Sequence, residues 1–470
     1  MDQAAGTQPL KWYQGLEKYC WVVLVISALG WLFDTMDQNL FNLVRKTSIE
    51  DLLMPKAERA ALSPEAKAAF ANDVSFKGGI VTAIFLLGWA TGGFVFGILG
   101  DRLGRTKTMI VTILIYAIFT GTSGLVNNWL LYAFARFMTG VGVGGEWAAG
   151  AALVAETFPQ RSRPMALGFL QALSSVGNMM AAGITWGIEG AGITDVQSWR
   201  IVYFVGAVPA LLVLWIRRSV HEPEKWVQAK EHASVGKEMG KIGQMFTHPV
   251  LRRNLIASVL MGAAGVGALW GVGFFSTDFI LRTLIAAGKS ADEANSIKNI
   301  MFILQNLGSF FGIYCFALLA ERFNRRKAFF FSFVLAWLSV LAFFWGVSKS
   351  GPNATAACLV LAPVMGFFTL MPFSGYTIYF PELFPTRLRT TGCGFAYNAA
   401  RILAAGAPFA IGFLGKKYGF PQAASMVVCV YVLGFVGTAM APETKGLPLP
   451  DDKDFETGPA VRIAPAPQET

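Results

Sequence analysis

Long apolar stretches separated by short polar loops dominate the pattern of this chain. An α-helix needs about 20 apolar residues to cross the hydrocarbon core of a bilayer, because it rises only about 1.5 Å per residue. The pattern predicts an all-α membrane protein with twelve transmembrane helices, six in each half. The predicted spans are 20–44, 76–99, 107–126, 129–155, 164–188, 199–216, 253–281, 295–319, 327–347, 355–380, 390–415 and 421–441.

The polar segments divide the chain further. In chain order we predict a cytoplasmic lead 1–19, a first six-helix bundle 20–216, a linker 217–252, a second bundle 253–441 and a cytoplasmic tail 442–470. The outer loop 45–75 predicts a short exposed helix. The linker mixes charges with spaced apolar positions, which is typical of a helix on the membrane surface. The tail is rich in Pro, Ala and acidic residues, which predicts disorder.

Composition and charge support a membrane protein. The chain is 54% hydrophobic and 14% charged, whereas soluble domains carry about a quarter charged residues. The net charge of +10 does not indicate a nucleic-acid partner, because basic residues concentrate in short loops on one side, as at 102–107 and 322–327. This positive-inside bias predicts a multi-pass plasma (inner) membrane protein with both termini in the cytoplasm. The five cysteines lack metal or disulfide spacing, so we predict no metal and no cofactor.

The two halves share repeated segments. The sequence E-T-F-P-Q-R-S-R at 156–163 recurs as E-L-F-P-T-R-L-R at 382–389, and the stretch 88–107 recurs at 308–327. Both offsets are nearly half the chain, which indicates an internal duplication. Because each half has an even number of spans, the halves enter the membrane in the same direction and can be related by a pseudo-two-fold axis along its normal. This organisation is typical of secondary transporters, whose substrate site lies between the repeats.

The repeated loops carry a family resemblance. The stretch G-x-x-x-D-R-x-G-R-x-K at 97–107 resembles the signature loop of the major facilitator superfamily, and the two E-x6-R segments resemble those of its sugar-porter-like branches. The P-E-T-K-G sequence at 442–446 is similar to the one that closes the last span of those families. Within the superfamily, the fourth span around 136–147 and the end of the sixth span around 199–226 resemble the sialate/lactate (organic acid) proton-symporter family.

This resemblance implies the major facilitator fold and a cytoplasmic gate built from the repeated charges. The implied gate residues are Asp101, Arg102, Arg105, Glu156, Arg163, Glu321, Arg325, Glu382 and Arg389. The alternative is that these charges only set topology. The second copy departs from the signature, because Glu321 replaces Asp and Asn324 replaces Gly. The first span, with Asp34 and Asp37, resembles the D-G-x-D span of sialate and aromatic-acid symporters without matching it, so the resemblance implies no particular substrate.

Charged residues inside spans are the candidates for coupling chemistry, because a charge at helix centre costs at least ~2.5–3.5 kcal/mol. Asp34 and Asp37 share one face of the first span. Arg136 enters from the opposite side to a similar depth, and family architecture places spans one and four together, so we predict an Asp34–Arg136 pair. Glu146 is a further, deeper candidate. These four residues are predicted to couple protons to transport. The alternatives are a static ion pair and a structural role for Glu146.

Arg401 is the predicted substrate residue, because it lies about 18 Å into the eleventh span, near the membrane midplane. A guanidinium in a cavity favours a carboxylate substrate. The alternative is an internal pair with Asp34, Asp37 or Glu146. Polar residues that we predict to line the same site are Tyr397, Asn398, Gln171, Asn178, Gln305, Asn306, Tyr376 and Tyr379.

These features predict a proton-coupled symporter of a small organic anion, a monocarboxylate or an acidic sugar, that works as a monomer by alternating access. Its predicted partners are the small-molecule substrate, protons and the lipid bilayer. One alternative is a porter of neutral sugars, polyols or zwitterions, in which Arg401 is internally paired. Another is a nutrient sensor that transports nothing. An enzyme is not predicted, because the sequence shows no nucleophile–base or metal-binding cluster.

Overall fold

The computed structural model describes residues 11–190, 198–232, 238–404 and 406–455. Across these residues the secondary structure is helical, with no strand. The helices form twelve runs of membrane-spanning length, which confirms the predicted all-α architecture. The order of the runs along the chain divides them into two groups of six on either side of the linker.

The spans of the first half begin within about two residues of the predicted positions, except the second, which begins at Pro64 and was predicted from 76. The helices of this half are α1 Lys18–Leu53, α2 Lys56–Ala60, α3 Pro64–Leu103, α4 Arg105–Ser123, α5 Trp129–Thr157, α6 Arg163–Gly190, α7 Ser198–Gly206 and α8 Leu212–Ser219. A short 3-10 turn at Val208–Leu211 joins α7 to α8, so these two helices together make the sixth span. The turn contains Pro209, which removes one helical hydrogen-bond donor.

The linker and the second half follow the same plan. Their helices are α9 Glu224–Glu231, α10 Gly243–Thr247, α11 Pro249–Ala268, α12 Phe274–Ala286, α13 Ala291–Arg322, α14 Arg325–Lys349, α15 Ala354–Tyr379, α16 Arg389–Ala404, α17 Ala407–Tyr418, α18 Phe420–Val427 and α19 Tyr431–Met440. A π-helical turn at Leu269–Gly273 joins α11 to α12. The seventh span is therefore irregular in the middle.

Ten of these runs also contain a continuous stretch long and apolar enough to cross a membrane. The fourth and eleventh spans are the other two. Helix α5 is rich in glycine and carries Arg136 and Glu146, whereas the eleventh span is divided into α16 and α17, each shorter than a full span. Each of these two spans carries a predicted functional charge, as does the first span with Asp34 and Asp37.

The outer loop 45–75 is more helical than predicted. Helix α1 continues to Leu53, and α3 begins at Pro64, where the side chain of Ser63 caps it by accepting a hydrogen bond from the Ala66 amide at 3.2 Å. The first proline after the apolar run is Pro55, so nothing stops α1 earlier. At about 1.5 Å per residue both helices exceed the ~30 Å core and extend beyond it.

The linker and the tail both pack against the helix bundles. Trp226 of α9 is buried, and its indole N–H donates to the backbone carbonyl of Asp101 at 2.7 Å, so this helix contacts the first bundle, and its place on the membrane surface stays a prediction. The prediction of a disordered tail is wrong for 442–455. Leu449 and Phe455 are buried, and Asp452 forms an ion pair with Arg387 at 2.8 Å. Residues 233–237 and 456–470 lie outside the described residues.

Glycines allow the second and fourth spans of each half to cross closely. A Cβ atom on Gly92 of α3 would lie 2.0 Å from the backbone oxygen of Val141 in α5, and one on Gly312 of α13 would lie 1.9 Å from the backbone oxygen of Phe367 in α15. No larger residue fits at either place without moving a helix. The same crossing occurs in both halves, as a duplicated fold requires.

Candidate transport site

A cavity of about 450 Å³ lies between the two halves. Towards the end of the molecule that holds the repeated loops, Gln171, Phe373 and Tyr397 bound it. Towards the opposite end Leu43 and Trp186 line it with partly exposed side chains. Its remaining walls combine aromatic and amide side chains, namely Trp31, Trp89, Trp270, Phe302, Gln38, Asn39, Asn42, Asn178, Asn299, Gln305 and Asn306.

The floor of the cavity joins the halves. The ring of Trp147 in α5 stacks on the ring of Tyr397 in α16, with centroids 4.3 Å apart. The side-chain oxygen of Gln171 accepts one hydrogen bond from the Trp147 indole at 3.1 Å and another from the Thr377 hydroxyl at 2.8 Å. Both acceptor positions of this oxygen are therefore occupied, which fixes the amide. The floor separates the cavity from the repeated loops.

Three amides cross the side wall. Asn39 donates to the side-chain oxygen of Asn178, and Asn178 donates to that of Asn306 at 2.9 Å. The first two residues belong to the first half and the third to the second half. Gln305 lines the same wall. Four residues that the sequence predicted for the site therefore lie on the cavity surface, namely Gln171, Asn178, Gln305 and Asn306.

Arg401 projects into the cavity from α16. Its guanidinium carbon lies 4.0 Å from the ring centroid of Trp89 and 4.1 Å from that of Tyr397, so aromatic rings cover the cation. Its Nη1 donates to the side-chain oxygen of Asn398 at 2.9 Å. The carboxylate of Asp34 is near enough to interact with it electrostatically. Among the described residues, however, Arg401 forms no ion pair with an acid, so the predicted alternative of an internal pair is not found.

Asp34 and Glu146 form a pair of carboxyl groups beside the cavity. Both side chains are fully buried, and their carboxyl groups lie within hydrogen-bonding reach of each other. Neither receives a hydrogen bond from a donor in the part of the chain that the structure describes. A Cβ atom on Gly30 would lie 2.3 Å from the Glu146 Oε1 atom, so the absence of a side chain at Gly30 makes room for this carboxyl group.

The predicted Asp34–Arg136 pair is wrong, because Arg136 pairs with Asp37. The Arg136 Nη1 atom lies 3.6 Å from the Asp37 Oδ2 atom, and the Thr120 hydroxyl donates to Asp37 Oδ1 at 2.7 Å. Arg136 also donates to the Ser123 hydroxyl and lies 4.6 Å from the ring centroid of Tyr203. The Asp37–Arg136 pair is fully buried, and each of its two residues also has a hydroxyl partner. It therefore matches the alternative of a static ion pair between the two helices.

Three predicted substrate residues lie elsewhere. The Tyr376 hydroxyl donates to the backbone oxygen of Met261 at 2.7 Å, and the Tyr379 hydroxyl donates to the backbone oxygen of Pro442. Both tyrosines are buried within the second half, and neither lines the cavity. Helical spacing alone does not reveal which face of α15 they occupy. Asn398 is buried against Gly93, where it positions Arg401 and does not line the wall. None of these three predicted residues lines the cavity in this structure.

Sequence reasoning missed several residues of the wall. Gln38, Asn39 and Asn42 follow the two aspartates in the first span, so polarity within an apolar run could have revealed them. Trp31 and Trp89 could not be separated from ordinary core or lipid-facing aromatics, because their position depends on the packing of α1 and α3. The cavity mouth also contains Asp278 and Lys298.

The repeated charges of the first half join the two halves. Arg105 donates to both oxygens of Glu156, at 3.1 and 3.0 Å, and to the backbone oxygen of Thr386 at 2.8 Å. Arg389 of the second half binds the same Glu156. Asp101 accepts hydrogen bonds from the backbone N–H groups of α16 in the second half, at 3.1 and 2.8 Å. These side chains are buried, and together they close this end of the molecule.

Apart from Arg389, the repeated charges of the second half pair within that half. Arg325 donates to both oxygens of Glu382, at 3.2 and 3.0 Å, and pairs with Glu321 at 3.0 Å. Arg163 donates to the backbone oxygens of Ala155 and Phe158 in its own half. No ion pair of Glu382 with the first half is present among the described residues.

Arg102 contacts the linker. Its Nε atom donates to the backbone oxygen of Met239 at 3.1 Å. The next linker residue, Gly240, donates its backbone N–H to the backbone oxygen of Arg387 at 2.9 Å. The linker therefore bridges the repeated loops of the two halves at this point.

Comparison with known proteins agrees with this geometry. The family described as "Sugar (and other) transporter" matches residues 20–452. A protein of Cupriavidus pinatubonensis named "Probable 4-methylmuconolactone transporter" is 28% identical, over 93% of this chain and 94% of its own length. The sialic acid transporter NanX of Escherichia coli is 27% identical, over 72% of this chain and 78% of its own length. The cis,cis-muconate transport protein of Acinetobacter baylyi is 28% identical, over 74% and 81%.

Solved structures share the fold. The proton:xylose symporter XylE, a major facilitator superfamily protein, superposes with a TM-score of 0.75 at 17% identity, covering 92% of this chain and 98% of that one. The human organic anion transporter MFSD10 superposes with a TM-score of 0.64 at 14% identity, covering 90% and 100%. The predicted major facilitator fold is thereby confirmed.

Proposed function

We propose, since the chain belongs to the sugar (and other) transporter family of the major facilitator superfamily, that it carries a small organic anion together with protons. It is a multi-pass membrane transporter and not an enzyme. The observation that carries the proposal is Arg401, a cation without an acidic partner among the described residues, in the cavity between the halves. The substrate would be a monocarboxylate or an acidic sugar, moved by alternating access.

The surroundings of Arg401 favour a carboxylate. Trp89 and Tyr397 cover the guanidinium, and Asn398 occupies one of its donors. A second donor bonds the Tyr397 hydroxyl, and the remaining donors of the guanidinium can bind a carboxylate oxygen. The names of three relatives support this substrate class, because they refer to a muconolactone, to sialic acid and to muconate.

The Asp34–Glu146 pair supports proton coupling. Two buried carboxyl groups without donors repel each other when both are ionised, and a proton between them removes the repulsion. Asp34 also interacts with Arg401, so the charge at the substrate site affects the affinity for the proton. We propose Asp34 and Glu146 as the proton-binding groups. The Asp37–Arg136 pair holds spans one and four together beside them.

The repeated loops support a gate. They close one end of the molecule, and the cavity lies towards the other end, where partly exposed side chains line it. If the positive-inside bias sets the orientation, the closed end is cytoplasmic, both termini are cytoplasmic and the structure faces outwards. We propose that the network of Asp101, Arg105, Glu156 and Arg389 is the cytoplasmic gate and that a single chain is the transporting unit. Transport then requires these contacts to break as the outer end closes.

A porter of neutral sugars is the second candidate. The amide-rich wall, with Gln38, Gln171 and Gln305, could bind hydroxyl groups. In that case Arg401 would position Trp89 and Tyr397 without touching the substrate. The two candidates differ in what happens when Arg401 loses its charge.

A thermal-shift screen of the purified protein separates them, because a ligand that binds the native state stabilises it by about 2.7 kcal/mol at a concentration of 100 Kd. The ligands are N-acetylneuraminate, lactate and cis,cis-muconate, with xylose as the neutral sugar. We expect a carboxylate to raise the Tm of the wild type and of Arg253→Gln, whose side chain is exposed, but not of Arg401→Gln. A shift with xylose alone would favour the second candidate.

A further inference from the structure

Two seams join the halves near the closed end of the molecule. In the first seam α6 lies against α13, where a Cβ atom on Gly168 would lie 2.7 Å from the Cβ atom of Ala317. In the second seam α3 lies against α16, where a Cβ atom on Gly394 would lie 2.6 Å from the backbone oxygen of Gly93. Spans five and eight form the first seam, and their counterparts in the duplication, spans eleven and two, form the second.

The segment that precedes α1, residues 11–17, is anchored on the first half beside the first seam. The backbone oxygen of Trp12 accepts a hydrogen bond from the Ser162 hydroxyl at 2.5 Å, and the backbone oxygen of Gln14 accepts one from the Arg161 guanidinium. Both donors belong to the loop between α5 and α6. The segment is therefore held at two backbone positions.

The side chain of Trp12 crosses the first seam. Its indole N–H lies within hydrogen-bonding reach of the Tyr314 hydroxyl in α13 of the second half. Its ring also packs against that of Trp21 in α1, with centroids 5.9 Å apart. We call residues 11–17 the lead strap, because they connect the two halves without belonging to either bundle.

A second segment crosses the second seam. Residues 238–248, which we call the linker strap, precede α11 as the lead strap precedes α1. Gly240 donates its backbone N–H to the backbone oxygen of Arg387 in the second half at 2.9 Å. The backbone oxygen of Met239 accepts a hydrogen bond from Arg102 in the first half at 3.1 Å. This strap therefore also binds both halves.

The linker strap places an aromatic ring at its seam as well. The ring of Phe246 packs edge-on against that of Phe395 in α16, with centroids 5.5 Å apart, and Phe395 contacts Phe94 of α3 at 5.0 Å. Phe94 and Tyr314 are the same position of the longer repeated stretch. Each strap thus brings an aromatic side chain to the equivalent place of its own seam.

The two straps are equivalent parts of the duplication. Arg161 and Arg387, to which they bind, are the same position of the repeated E-x6-R segment. Each strap turns at a glycine in the left-handed region, Gly15 with φ of 70° and Gly240 with φ of 66°, where residues with a side chain are disfavoured. A segment that recurs in both halves with the same anchor and the same turn is a built element of the fold.

We propose that the lead strap and the linker strap hold the two seams shut and that both straps detach when this end of the molecule opens. Opening separates α6 from α13 and α3 from α16, so a segment that binds both sides of a seam resists it. The straps act at the surface, since Phe246 is 47% exposed, whereas the charged network is buried. The proposal rests on the proposed alternating access but on no particular substrate.

Maleimide labelling of the purified protein without a ligand tests the straps. Cys393 of α16 is buried beside the charged network and reports opening, whereas Cys358 is buried near the opposite end of α15 and reports unfolding. We expect Trp12→Ala and Phe246→Ala each to accelerate labelling of Cys393 about two- to tenfold, as loss of one aromatic contact would, and to leave Cys358 unchanged. Tyr13→Ala removes a more exposed ring of the lead strap and should label like the wild type.

Combined variants distinguish a strap from general loosening. Tyr314→Phe removes the hydroxyl within reach of Trp12, so it should accelerate labelling of Cys393 in the wild type but not in Trp12→Ala, where that contact is already lost. Trp12→Ala/Phe246→Ala should show the product of the two single effects, because the straps act on different seams and distant effects are additive in free energy.

The outcomes separate the straps from the gate. Unchanged labelling of Cys393 in both single variants would overturn the proposal, and equal acceleration at Cys358 would contradict it by showing a role in stability alone. Glu156→Gln is measured beside them. If only this variant labels faster, the charged gate holds without the straps. If no variant labels faster, the proposed gate fails together with them.

Discussion

The same charged motif occurs in both halves but makes different contacts in each. In the first half, Glu156 is bound by Arg105 and by Arg389 from the opposite half, so the motif spans the interface. In the second half, Glu382 is bound by Arg325 and by Thr444, both from its own half. Both copies keep the Arg–Glu ion pair within their own half. Only the glutamate of the first copy, Glu156, also binds an arginine of the opposite half.

Two substitutions in the repeat account for part of this difference. Asp101 is buried and binds the N-terminus of α16 across the interface, where the helix dipole favours an anion. Its counterpart Glu321 is longer, has a side chain that is 38% exposed and pairs with Arg325 one turn away. Asn324 caps its own helix by accepting from the Lys327 amide at 2.7 Å. The second copy stabilises its half, whereas the first copy closes the gate.

Loss of the Glu156 carboxylate should weaken the contact between the two halves most. Glu156→Gln leaves Arg105 and Arg389 buried without their carboxylate, and loss of one partner of a buried pair costs about 3–5 kcal/mol. We expect the gate to open and the buried Cys393 beside it to react with a maleimide at least about tenfold faster, as peptide mass spectrometry would show. Glu382→Gln is the matched control, and equal acceleration there would mean that the two copies are equivalent.

Loss of the Asp101 carboxylate should weaken the same contact by a smaller amount. Asp101→Asn weakens the hydrogen bonds to α16 and removes the ion pair with Arg105 at 3.3 Å. Hydrogen bonds to charged groups contribute about 1.5–3 kcal/mol, so we expect a several-fold increase in the same labelling rate. Glu321→Gln removes a partly exposed pair, for which about 0–1 kcal/mol is typical, and should change labelling little. If Glu321→Gln had the larger effect, the assignment of the gate to the first copy would be wrong.

The packing of tail residues 442–455 against the second bundle, which we call docking, should depend weakly on pH. Burial raises the pKa of Asp452, although the neighbouring Arg387 opposes the shift. Because the pKa is raised in the docked state, protonation favours docking, and docking weakens as pH rises through that pKa. We expect amide exchange at 447–455, corrected for intrinsic rates, to increase with pH in the wild type. In Asp452→Asn it should be flat, and an unchanged slope in this variant would exclude Asp452 as the cause.

The sequence predicted the helices and the motifs but not all of their partners. Apolar run length and the duplication sufficed for the twelve spans, because both are properties of the chain alone. Depth along a helix could not choose between Asp34 and Asp37 as the partner of Arg136, since they are only ~4.5 Å apart along the axis. Rotation of α1 decides this pair, and rotation is set by packing.

For the gate and the cavity, too, the sequence identified candidate residues but not all of their contacts. The repeated motif identified Glu156 and Glu382 equally, yet which of them reaches across the interface depends on side-chain length and on neighbours such as Thr444. Arg401 was identified because a cation near midplane is conspicuous in any apolar span. Tyr376 and Tyr379 were misplaced because a phenol is compatible with either the core or a cavity, so their residue type carries little information.

Uptake by proteoliposomes tests the central claim most directly. Purified wild type and Arg401→Gln are reconstituted, and uptake of radiolabelled N-acetylneuraminate or lactate is measured with and without an inward proton gradient. We predict that the gradient accelerates uptake by the wild type and that Arg401→Gln takes up neither anion, although it reconstitutes equally well. Normal carboxylate uptake by Arg401→Gln, or wild-type uptake that ignores the proton gradient, would contradict a proton-coupled carrier of organic anions.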